Sequence, residues 1–99
     1  MGNENNYLKV VFDDSLKNYL ELEKTLYEAY PMYLENPSEE MKFLITNVCN
    51  FARMQLSTLM DMLPNIYEGS MYNSYYSGLN NKIDELFDFQ KNISNFHQK

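Results

Sequence analysis

An all-α fold, an antiparallel three-helix up-down-up bundle, is what this sequence predicts, and three observations predict it. Apolar residues recur at alternating spacings of four and three in three separate stretches. Prolines and small polar residues part those stretches, first between Pro31 and Pro37 and again from Pro64 to Gly69. The stretches are of similar length with short connectors, which makes sequence neighbours antiparallel. A chain of 99 residues fits one domain, 1–99, and its hydrophobic content of 44% places it among globular proteins.

The first helix is expected over 6–31. Leu8, Phe12, Ser15, Tyr19, Leu22, Leu26, Ala29 and Tyr33 form a seam that only Ser15 interrupts. Asp14, Lys17, Glu21, Lys24 and Glu28 follow the same spacing on the opposite face, with alternating sign. Its start is set near Asn6. The β-branched and aromatic run YLKVVF leaves a short extended arm over 6–12 as the alternative, with Asp13 or Asp14 as the cap. Pro31 has no N–H for the helical ladder and should end the helix near Tyr30.

ENPSEE reads as a helix start: Asn36 as N-cap, Pro37 in the first helical position, Glu39 three residues after the cap and Glu40 beside it. The second helix is expected over 37–63, stopped by Pro64 and Asn65. Ile45, Cys49, Ala52, Leu56, Leu59 and Leu63 make an unbroken seam, and Leu44, Val48 and Phe51 widen it into the broad stripe of a helix packed on two neighbours. Asn47, Asn50, Arg53, Ser57 and Asp61 form the polar back.

The third helix is expected over 70–97, with a seam of Tyr72, Tyr76, Leu79, Ile83, Leu86, Gln90, Ile93 and His97. It opens inside SMYNSYYSG, a stretch that composition alone would assign to a loop. Gly78 disfavours the helix by about 1 kcal/mol relative to alanine. It is the place where this helix is expected to kink or break, with Ser77 or Gly78 capping the part from Leu79. Three helices of about 25 residues would each span about 38 Å.

Catalytic chemistry has little material here. His97 is the one histidine and Cys49 the one cysteine, and Cys49 falls on the most apolar seam, so a nucleophile with a positioned base is not assembled. Glu21, Glu28, Asp84, Glu85 and Asp88 fall mostly opposite the seams, and no Glu-x-x-His element of a di-metal bundle occurs. The three glycines do not cluster into a phosphate cradle. A single cysteine excludes an internal disulfide and a four-cysteine zinc site. The expectation is a chain that is not an enzyme and has no catalytic, cofactor-binding or metal-binding residues. Arg53, the sole arginine, is expected in a surface ion pair, and Gln90 at a bundle end.

A net charge of −6 opposes nucleic acid as a direct partner. No signal-peptide pattern and no long apolar run occur, which points to the cytoplasm and away from the membrane. The nine tyrosines are the residue type in excess. An up-down-up order gathers Tyr7, Tyr67, Tyr72, Tyr75 and Tyr76 with Met60, Met62 and Met71 at one pole, where tyrosine and methionine make an adaptable contact surface. Tyr67, Met71, Tyr72, Tyr75 and Tyr76 are therefore the candidate partner-binding residues.

The function expected is that of a small acidic protein-interaction module, an inhibitor or adaptor of a host protein. Abundant asparagine, tyrosine, lysine and isoleucine fit AT-rich coding, hence a phage or mobile element of a low-GC bacterium. The partner would be a protein, such as a basic nucleic-acid-binding one, or a second copy. An anti-defence role in which carboxylates mimic DNA phosphates is a variant of this reading. An immunity or antitoxin-like protein and a structural or regulatory homodimer are the alternatives.

Overall fold

A computed structural model describes residues 2–95, with side chains from 7 to 95. Three helices run up, down and up: α1 is Gly2–Glu35, α2 is Glu39–Met62 and α3 is Gly69–Asn95, with a 3₁₀ turn at Leu63–Asn65 before α3. No strand occurs among the described residues. No helix among them is long and apolar enough to cross a membrane.

α1 is longer than expected at both ends. Helix already covers residues 6–12, so the extended arm is not formed and Asp13 and Asp14 lie inside the helix instead of capping it. Pro31 sits within the helix and does not end it. It removes one rung, the bond to the Tyr27 carbonyl, and both residues are exposed. Tyr33, two residues on, is almost fully buried. Burial of that large ring holds the chain helical past the proline, and the Asn36 N–H closes the last turn onto the Met32 carbonyl at 3.1 Å.

Because α1 uses the chain up to Asn36, the start of α2 moves on. Ser38, not Asn36, is the N-cap: its backbone is extended and its Oγ accepts from the Met41 N–H at 3.1 Å. Pro37 stiffens the connector, and Glu39 and Glu40 occupy the first turn at the positive end of the helix. At the other end Pro64 opens the 3₁₀ turn, and the Tyr67 N–H donates to the Leu63 carbonyl at 2.9 Å. Gly69 has φ +64°, a conformation that a side chain would strain, and it turns the chain into α3.

The core is one continuous cluster. From α2 it takes Ile45, Cys49, Ala52, Leu56 and Leu59, and from the turn that follows it Leu63, together the seam read from the sequence. From α1 it takes Phe12, Tyr19, Leu26 and Tyr33, every seventh residue, while Ser15, Leu22 and Ala29 are half-buried at the border with α2. α3 corrects the expected seam. Leu79, Leu86 and Ile93 are buried as expected, but Phe89 is buried too, Tyr75 is half-buried, and Tyr76 is exposed. The seam has turned towards α1, where Phe89 meets Tyr27 edge-on at 5.6 Å and Tyr30 at 5.0 Å.

That rotation has a geometric cause. α2 approaches α1 and α3 closely because Cys49 and Ala52 are small, and the Cys49 Sγ reaches the Leu86 carbonyl at 3.5 Å. The backbones of α1 and α3 stand farther apart, and long side chains fill the space between them. α3 runs through Gly78 as unbroken helix, against the expected break. Its expected end at 97, with His97, lies outside the described residues.

Two outcomes test this packing. A Cβ at Gly78 would meet nothing within 4 Å, so Gly78→Ala should raise stability by about 0.5 to 1 kcal/mol, read as a higher urea midpoint. Cys49 is fully buried and burial pushes its thiol pKa up. A thiol reagent should therefore modify Cys49 only at the rate of unfolding, and rapid labelling of the native protein would contradict the packing.

Candidate functional site

The five tyrosine-pole residues are brought to one end of the bundle and there divide in two. Tyr67 is only 8% exposed. Its ring stacks on Tyr75 at 4.6 Å, and Phe12 of α1 points edge-on at both, 5.9 Å from Tyr67 and 5.5 Å from Tyr75. The Lys9 ammonium lies 5.8 Å from the Tyr67 centroid. Burial, the Tyr75 hydroxyl and Asp13 together push the Tyr67 hydroxyl up to about 12. This knot closes the end of the core, so Tyr67 does not offer its face to a partner.

Tyr72 and Tyr76 stack on each other at 5.8 Å, one turn apart on α3, and Met71 and Tyr76 are exposed. Five residues separate Met71 from Tyr76, which sets them about 140° apart around the helix. They face different sides and do not join into one patch. The pole is mainly a core cap with two exposed corners.

Between α1 and α3 lies a polar link that the seams did not reveal. The Tyr19 hydroxyl donates to Glu23 Oε2 at 2.9 Å, and Lys82 Nζ donates to the same oxygen at 3.0 Å. Lys82 also lies 5.7 Å from the Tyr19 ring. Loss of hydration, then the Glu23 carboxylate, raise the Tyr19 hydroxyl far above its ordinary value. One carboxylate thus holds a fully buried phenol and a cation from the neighbouring helix. The signal that could have found it is the (i, i+4) pair of Tyr19 and Glu23 on the α3 side of the first seam.

Arg53 corrects a second expectation. Its guanidinium lies over the Phe87 ring, 4.3 Å from the centroid, and hydrogen-bonds Asn50, where a surface ion pair was expected. Gln90 is half-buried beside it, lining the same α2–α3 groove with Phe87 and Lys91. Among the described residues no group of three or more His, Cys, Asp or Glu side chains could hold a metal ion.

The largest departure from the sequence reading is on α2. Leu44 and Phe51 were expected to widen a buried stripe, yet both are more than half exposed, and Phe43 and Met54 are exposed by 66% and 67%. Between 43 and 60 the one charged residue of α2 is Arg53, which is turned onto Phe87. The outer side of α2 is therefore uncharged for most of its length, with Phe43, Leu44, Phe51 and Met54 exposed among the polar Asn47, Ser57 and Thr58. Beside it a groove of about 240 Å³ runs between α2 and α1, lined by Phe51, Met54, Gln55 and Thr58 with Ser15 from α1. The Gln55 Oε1 is buried there without a hydrogen-bond partner. Val48 alone of the three stripe-widening residues packs on the core.

Comparison of the chain with protein-family models, curated proteins and solved structures finds no match.

The phenols make stability depend on alkaline pH. Tyr19 and Tyr67 titrate above the ordinary value of 10 in the folded chain, so the fold favours their neutral forms. The unfolded chain loses those protons first, and stability falls as pH rises. Urea midpoints should stay level up to about pH 10 and drop beyond it. Tyr67→Phe should flatten the drop, and an unchanged slope in that variant would show that Tyr67 is not held neutral.

Proposed function

We propose that this chain acts by binding another protein, as a small non-enzymatic inhibitor or adaptor. The observation that carries the reading is the outer side of α2, which exposes Phe43, Leu44, Phe51 and Met54 with no charge among them. Loss of charged residues together with enrichment in aromatic residues and methionine is the compositional mark of an interface centre. Apolar patches of this kind on a small protein are covered by something when the protein functions.

The rest of the surface fits that role. α1 and α3 carry their charges outward, with Asp13, Asp14, Glu21, Glu28, Asp84, Glu85 and Asp88 exposed, and the net charge of −6 favours a basic partner through long-range attraction. The AT-rich residue usage suits a phage or mobile-element product acting on a protein of its low-GC bacterial host. The exposed corners of the tyrosine pole, Met71 and Tyr76, are two smaller contact points on different sides of α3.

Affinity capture from a low-GC bacterial lysate, with partners identified by mass spectrometry, tests the reading. The wild-type chain should enrich a specific protein, and the Phe51→Glu, Met54→Glu double variant should lose it while its helical circular dichroism is unchanged. No enrichment over bare resin overturns the reading.

A further inference from the structure

α1 and α3 run side by side, and at three levels long side chains bridge the space between them: Phe12 with Tyr75, Tyr19 and Glu23 with Lys82, and Tyr27 and Tyr30 with Phe89. Between the first two of these levels stand Leu16 and Gly78. A pocket of about 320 Å³ opens there, lined also by Ser74, Tyr75, Leu79 and Lys82. We propose that this pocket binds a small, neutral aromatic molecule that carries one hydrogen-bond acceptor. The proposal goes beyond the protein-binding reading and does not depend on the outer side of α2.

Gly78 keeps the pocket open. It lies in the interior of α3 without a positive φ, so the backbone does not need glycine there. A Cβ at this position would meet nothing within 4 Å, so close packing does not need it either. Glycine nonetheless disfavours the helix relative to alanine. What its presence gives is room. Tyr75, Gly78 and Lys82 are spaced three and four on one stripe of α3, and the two long side chains reach towards α1 where Gly78 cannot.

The lining specifies the ligand. Leu16 and Leu79 make it apolar, and rings occupy the adjoining levels: Phe12 meets Tyr75 edge-on at 5.5 Å on one side, and the Lys82 ammonium lies 5.7 Å from the Tyr19 ring on the other. The missing piece is a further ring, beside the Tyr75 ring and within reach of a cation. Lys82 gives one N–H to Glu23 and an ammonium has three, so Lys82 and the Ser74 hydroxyl supply donors for a carbonyl-type acceptor. An anion is disfavoured, because Glu23 already balances Lys82 and the chain carries a net charge of −6. The volume falls at the small end of the range of about 300 to 1,000 Å³ in which small molecules are held. Around the mouth the exposed neighbours are Asp13, Lys17 and Leu20 on α1 and Ser77 and Asn81 on α3. A protein interface centre would be aromatic and free of charge there, so the mouth suits a free molecule better than a partner's side chain.

Benzamide, benzoate and cyclohexanecarboxamide, each titrated into the full chain and followed by NMR amide shifts, test the proposal. Benzamide should bind saturably with a Kd of about 1 mM or tighter, with shifts clustered on residues 12–20 and 74–82. Benzoate adds a charge and cyclohexanecarboxamide lacks the aromatic ring, and each should bind at least about threefold more weakly. Gly78→Leu puts a good helix former into the pocket and should weaken benzamide by about tenfold or more, with a urea midpoint at or above that of the wild type. Leu16→Phe, which fills the pocket from α1, should weaken it as well. The proposal fails if benzamide does not saturate by about 10 mM, if either analogue binds as tightly, if the shifts fall on 43–58, or if both filled variants bind like the wild type. It also fails if Gly78→Leu loses the protein that the wild type captures from lysate, since the pocket would then belong to a partner's side chain. Capture through Phe51 and Met54 stands or falls separately from all of these outcomes.

Discussion

Six side chains along one edge, Ile45, Cys49, Ala52, Leu56 and Leu59 of α2 and Leu63 of the turn that follows it, have almost no contact with water, and the placement of the other two helices follows from that edge. Cys49 and Ala52 at its middle are small enough for both neighbours to come close, and dispersion contacts there are correspondingly dense. α1 and α3 both press on this edge and so cannot approach each other equally well. The space left between them is filled by long side chains: Tyr19, Glu23 and Lys82 in the middle, Tyr27, Tyr30 and Phe89 towards one end, Phe12, Tyr67 and Tyr75 at the other.

This arrangement explains why the chain is rich in tyrosine without making tyrosine its main contact surface. A phenol can span a gap that leucine would leave open, and its hydroxyl can end on a carboxylate or near water. Tyr19 does the first with Glu23, and Tyr67 and Tyr75 close the pole by stacking. With the core edges covered in this way, the uncovered apolar area falls elsewhere, on the outer side of α2. There the chain exposes aromatic residues and methionine without charge, on a helix whose inner edge already suffices for folding.

How far residues could be read in advance depended on whether their surroundings are local. The α2 seam was fully legible, since a helix pressed from two sides shows its period without interruption. The α1 and α3 seams were legible as periods but not in their exact facing. Phe89 and Tyr75 go inward and Tyr76 outward because of where α1 sits, which no local pattern encodes. Boundaries misled where two local signals competed. Pro31 argues for a stop and Asn36 for a cap, yet burial of Tyr33 outweighs the lost rung and leaves Ser38 to cap α2. Of the five candidate contact residues, the sequence placed all at one pole and could not say that Tyr67 turns into the core.

The sequence by itself determined three helices, their order, the inner edge of the middle one and a net charge of −6. Hydrophobic period and proline act within a few residues of where they stand, and net charge is a sum over the chain as written. Only the tertiary structure decided how much of the apolar flank of α2 would be covered. Leu44, Val48 and Phe51 share that flank at four-and-three spacing, but Val48 packs on the core while Leu44 and Phe51 stay exposed, because the neighbouring helices reach only the part of the flank nearest the buried edge.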